Sequence, residues 1–180
     1  MSETAARRNA RWNDEDSSAN YAFSEGGVVV ERVGNTSWDS FRADIGKAVG
    51  AASFEAGLTV SATNLMIVGV GLASASLGTF VGGDSGGFGY YSAGGIAHGG
   101  SLSGSEPGWI YGQRVTVCYN AATGLLVFML DGVEVATRAT GWAGQLVYPM
   151  GSMYAQGQIG RGWFDGVMHP RTGFDVRWGV

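Results

Sequence analysis

The chain has 180 residues, a formal net charge of −4, 45% hydrophobic and only 14% charged residues, and 32 glycines. This suits one domain with a real core, and the non-periodic glycines exclude a collagen-like fibre. Lys47 is the single lysine among 11 basic side chains and no basic stripe exists, which argues against nucleic acid; no apolar run is long enough to span a membrane.

Residues 1–24 read as an N-terminal arm. Arg7, Arg8 and Arg11 precede Asp14, Glu15 and Asp16, with Trp12, Tyr21 and Phe23 as the main apolar content. Ser2 is placed to cap a short helix through residues 3–11. So polar a segment lacks the apolar area to order itself. An arm docked on a neighbouring subunit is therefore expected, with Trp12 as anchor and the arginines pairing with carboxylates. The opening residues also lack the apolar core of a secretory signal.

Residues 25–180 read as all β. Strands are expected at 27–33, 38–46 (with Trp38, Phe41, Ala43 and Ile45 as apolar marks), 53–62 and 64–73. Next comes the glycine-rich stretch Gly82-Gly83-Asp84-Ser85-Gly86-Gly87, followed by strands at 88–92, 114–120, 124–130 and 133–138. Asn120–Gly124 and Asp131-Gly132 are the turns between the last three, and Asp-Gly between apolar runs is a strong hairpin signal. Strands at 145–155 and 173–179 complete the set. Cys118, alone and inside a strand pattern, reads as a buried, inert thiol.

In order along the chain, these pieces resemble the SPRY domain family. Trp38-Asp-Ser-Phe-Arg-Ala with Ser53-Phe-Glu-Ala is similar to its "W-x-S-V-R-A … Y-F-E-V" opening. Met66–Ala73 and Phe88-Gly-Tyr-Tyr91 look like its "v-G-v-a" and "s-W-G-Y" strands. Gly112–Val117, Gly124–Phe128 with Asp131-Gly132, and Tyr148-Pro-Met150 follow, with Gln113, Thr116 and Asp131 departing from the usual Asp, Gly and Asn. The resemblance covers roughly residues 27–165. It implies a two-sheet antiparallel β-sandwich (jelly roll) of the concanavalin A-like type, here carrying an extended or short-helical N-terminal arm. It also implies a non-catalytic module that binds a protein or peptide through loops at one end.

The Gly-Asp-Ser-Gly-Gly core around Ser85 raises the alternative of a serine hydrolase. His98 and His169 both follow Ser85, so the protease order fails. A hydrolase elbow, with Asp131 or Asp165 and His169, would need a helix after the serine, where Phe88–Tyr91 reads as strand. Gly69-Val-Gly71 lacks the third glycine of a dinucleotide loop, Ser74 standing there. Glu55 has none of the neighbouring acids of a glucanase strand. A calcium site built on Asp84 has no supporting spacing, so no metal and no cofactor are expected. The candidate binding residues are instead Tyr90, Tyr91, His98, Trp109, Tyr111, Trp142, Tyr154 and Trp163, most beside glycine-rich turns.

The functional expectation is a non-enzymatic component of a larger oligomeric assembly. Related domains occur in bacteriophage tail and fibre proteins, and the Gly/Ser/Ala/Tyr-rich, nearly lysine-free style of this chain resembles those more than eukaryotic relatives; the resemblance thus implies a bacteriophage virion protein of tail, fibre or decoration type, assembled in the host cytoplasm. Its partners would be other subunits and a surface glycan or protein receptor. The alternative is a free-standing adaptor or lectin-like module that binds a peptide or glycan through its loops.

Overall fold

The structure is a computed structural model that describes residues 8–61, 63–174 and 177–179. Among the described residues, fourteen strands carry the fold: β1 Trp12–Ser17, β2 Tyr21–Ser24, β3 Val29–Arg32, β4 Asp39–Ala43, β5 Ala51–Val60, β6 Met66–Leu72, β7 Gly87–Tyr91, β8 Ile96–His98, β9 Ser101–Ser103, β10 Val115–Asn120, β11 Leu125–Leu130, β12 Val133–Ala139, β13 Val147–Met153 and β14 Ile159–Trp163. Among the described residues, a single 3-10 turn lies at Glu25–Gly27. The strands form two seven-stranded sheets. The first has the order β1-β4-β13-β6-β7-β8-β9, the second β12-β11-β10-β5-β14-β3-β2. All their pairings are antiparallel.

Period-two alternation decides which side chains enter the space between the sheets. Met66, Val68 and Val70 of β6 face Val115, Val117 and Tyr119 of β10 and Leu126 and Phe128 of β11 in one buried core. The alternate residues face outward, where each sheet is covered a second time. Ile67, Ala75, Val81 and Met150 form a smaller cluster on the first sheet beneath residues 73–86. Cys118, Val127 and Met129 form another on the second sheet, packed against Phe174. Asp131 and Gly132 both adopt positive φ, 46° and 85°, as a tight two-residue hairpin turn between β11 and β12 requires.

The ends of the chain correct the sequence reading. No helix forms over the described part of residues 3–11, where Asn9 instead makes a bridge to Gly179. Residues 12–24 do not stand apart from the sandwich; they supply β1 and β2, one strand to each sheet. Trp12 is an interior residue, edge-on to Phe41 and Phe164 at 4.8 Å. Arg8 and Arg11 pair with Asp44 of the same chain at 2.6 and 3.1 Å. Arg7 lies outside the described residues. The expected strand at 173–179 is reduced, among its described residues, to the Gly179 bridge beside the buried Trp178.

Candidate functional site

The glycine-rich stretch is a stapled loop. The Asp84 carboxylate accepts the amides of Ser76 and Gly86 at 2.7 and 2.8 Å. Gly99 and Gly100 donate to the carbonyls of Asp84 and Gly82 at 3.0 and 2.9 Å, tying the loop to the β8–β9 hairpin. Gly82 sits at φ 89°, and a Cβ there would strike the Ala97 carbonyl oxygen. The glycines therefore serve close backbone approach. Ser85 is exposed and neither histidine bonds to it. His98 Nδ1 contacts the Gly87 carbonyl at 2.7 Å and its ring stacks on Phe88 at 3.8 Å. His169 instead donates its amide to the buried Glu55 at 3.0 Å. The Asp131 carboxylate is engaged by the Gln113 side chain and the Arg114 amide, at 2.8 and 2.9 Å. Among the described residues, no three His, Cys, Asp or Glu side chains group as metal ligands would.

The candidate aromatics separate into interior and surface. Tyr90, Trp109 and Trp142 lie in the core and not, as the sequence suggests, on a binding surface. Burial pushes the Tyr90 phenol up to about 12, with Glu106 adding to the shift; its hydroxyl donates to the Pro107 carbonyl. The Trp142 carbonyl accepts from Tyr119 at 2.9 Å. Trp163 lies on the outer face of the second sheet with the Arg114 guanidinium 4.0 Å from its ring centre. Tyr111 is 58% exposed in the β9–β10 loop, where its amide donates to Asn64. These residues do not converge on one surface.

Tyr91 and Tyr154 do converge, around a residue absent from the sequence-derived set. Trp38 lies 5.7 Å from Tyr91, 5.2 Å from Tyr154 and 6.1 Å from Phe80, ring centre to ring centre. All four are half-buried. Trp38, Phe80 and Tyr91 join Ile67, Ala97 and Leu102 to line an open cleft of about 110 Å³ on the outer face of the first sheet. No lining side chain is charged. Leu102, at its rim, is 56% exposed. Burial raises the Tyr91 phenol above its ordinary value.

Hydrogen bonds beneath the cleft hold its walls. The Ser40 and Ser152 hydroxyls meet at 2.9 Å. Ser152 also accepts the Val81 amide at 2.9 Å, and Leu77 accepts the Ser40 amide, so the loop bearing Phe80 is fixed to β4 and β13. On the other side, Arg32 donates to the Asn35 carbonyl and the Ser37 hydroxyl, both at 2.7 Å. Its guanidinium also pairs with Asp39, linking β3 of the second sheet to β4 of the first. Trp38 therefore emerges from a loop braced at both ends. Sequence contained a signal for it. Phe41 and Ala43 set the inward parity of β4, and Trp38 falls on the opposite, outward parity.

No protein-family model matches the sequence, and no curated protein matches it. The fold does match solved structures. The SPRY domain of human HERC1 superposes with a TM-score of 0.74 at 15% identity, covering 89% of this chain and 99% of that domain. A further human SPRY domain gives 0.67 at 15% identity, covering 83% and 98%. The PSpry domain of TRIM65 gives 0.69 at 14% identity, covering 86% and 88%. The chain thus has a SPRY-like fold, as the order of its motifs implied.

Proposed function

We propose that the protein is a non-catalytic protein-binding module and that the cleft around Trp38 is its contact surface. The observation that carries this reading is an uncovered apolar cleft walled by aromatic rings on a SPRY-like scaffold. Aromatic anchors in braced, apolar pockets are where binding energy concentrates in protein interfaces. A volume near 110 Å³ is below the roughly 300–1,000 Å³ of small-molecule sites, and suits one side chain of a partner. A glycan is less well served, because among the lining side chains only the Tyr91 hydroxyl and the Trp38 indole can bond to sugar hydroxyls. The charge-poor, lysine-poor composition further supports work inside a larger assembly, for which a bacteriophage particle is the proposed setting.

The test uses the full chain and its Leu102→Glu variant, both immobilised and exposed to extract of the native source. Leu102 is exposed enough for the variant to keep the fold. Proteins retained by the wild type and lost by the variant support the reading. Equal retention contradicts it, as does any ester or peptide hydrolysis abolished by Ser85→Ala.

A further inference from the structure

The cleft opens beside a sheet edge to which no strand among the described residues pairs. Strand β9 is the last of the first sheet, and Ser101, Leu102 and Ser103 are all exposed. Its free backbone groups follow from the ladder. In an antiparallel pair, hydrogen-bonded and non-bonded residue pairs alternate. The Tyr91 amide bonds the Gly95 carbonyl at 3.1 Å. Two residues further along, Gly89 and Ala97 are therefore also a hydrogen-bonded pair, which turns the backbone groups of Ile96 and His98 toward β9. There they bond Ser103 and Ser101. Leu102 faces Ala97 as the non-bonded pair, so its N–H and C=O point off the sheet edge.

The residue with the free donor and acceptor is thus the one whose side chain rims the cleft. Ala97 and Leu102 share the outer face with Ile67 and Tyr91, so the lining runs across β6, β7, β8 and β9. A strand added beside β9 would place the residue opposite Leu102 on that same face. The edge itself is three residues long, too short to template self-association, so backbone pairing alone is weak. An apolar side chain packed on Leu102 at the cleft rim would add the missing affinity, while the backbone pair would set register and orientation.

Resting on the protein-binding reading of this cleft, we infer that the occupant is an extended, uncharged peptide segment that adds to the β9 edge. It exchanges backbone hydrogen bonds with Leu102 and packs one aliphatic side chain against Leu102 at the apolar rim of the cleft. The neutral lining disfavours a charged residue at that position, because nothing there would pair with it.

The experiment titrates the isotope-labelled full chain, followed by amide NMR, with a pool of blocked pentapeptides, Thr-Thr-X-Thr-Thr, in which X is Leu, Ile, Val or Met. A second pool carries an N-methyl group on the amide nitrogen of X, leaving its side chain unchanged. The expected result is a shift and slowed solvent exchange of the Leu102 amide, and binding of the methylated pool weaker by roughly tenfold. Leu102→Pro should abolish the peptide-induced shifts of the neighbouring Ala97 and Ser103 amides while keeping the rest of the spectrum, since an edge strand tolerates proline where its N–H is free. Equal binding of both pools, or responses at Trp38 and Tyr91 with Leu102 unchanged, overturns strand pairing and leaves the protein-binding reading standing. Absence of any response at saturating peptide overturns the peptide occupant; the Leu102→Glu retention experiment then decides the wider reading separately.

Discussion

Arg32 and Asp39 place an ion pair where the two sheets meet, with the Arg32 side chain fully buried. Such a pair is held by its further bonds more than by its own attraction. Asp39 also accepts from the Ser18 hydroxyl at 2.6 Å and from Asn20, while the Arg32 guanidinium lies 4.9 Å from the centre of the Tyr21 ring. Cys118 shows a different consequence of burial. Desolvation pushes its thiol from 9.0 up to about 12, and likewise the Tyr21 phenol from 10.0 up to about 12. A raised pKa favours the protonated, folded form. These groups contribute their full share to stability below about pH 9, and that share is lost as pH rises toward 12. Cys118 should accordingly resist a thiol reagent at pH 8 in the native protein and react at once in denaturant. Rapid native reaction would show that the segment containing Phe174 does not cover it.

At the scale of elements, legibility followed pattern strength. The runs in β6, β10 and β11 announce themselves through continuous or alternating apolar residues, and the Asp131-Gly132 turn through its chemistry. β1 was unreadable because, after Trp12, its residues Asn13 to Ser17 are all polar. It is an edge strand with little to bury, yet Asp16 reaches across to grip Arg42 at 2.7 Å. β14 was hidden by Gly160 and Gly162, whose missing side chains leave no alternation to see. A Cβ at Gly162 would sit 2.7 Å from Phe164 and 2.9 Å from the Trp12 indole nitrogen. The surface site was half legible, since Tyr91 and Tyr154 were visible as loop aromatics but Trp38, Phe80 and Leu102 meet them only through sheet pairing. Removing residues 1–17 should strip an edge strand and the Trp12 side chain from the core, abolishing cooperative thermal unfolding. A truncated chain that melts like the full one would restore the arm.

Over the whole molecule, two sheets enclose one core and each outer face carries a partial second cover. The second sheet has its cover fastened. Glu55 accepts from Thr116 at 3.1 Å and from the His169 amide at 3.0 Å, and Arg171 holds Glu134 at 3.0 Å. The cover of the first sheet is incomplete, and Trp38, Phe80 and Tyr91 bound the open apolar cleft it leaves. The proposed function requires a partner to fill it. Hydrogen exchange of the full chain, with and without a protein retained from the native source, is the decisive measurement. Exchange should slow in residues 77–82, 88–92 and 96–103, and not at β12, the edge of the opposite sheet. Protection at β12 or across the β14 face, with residues 96–103 unchanged, would contradict it.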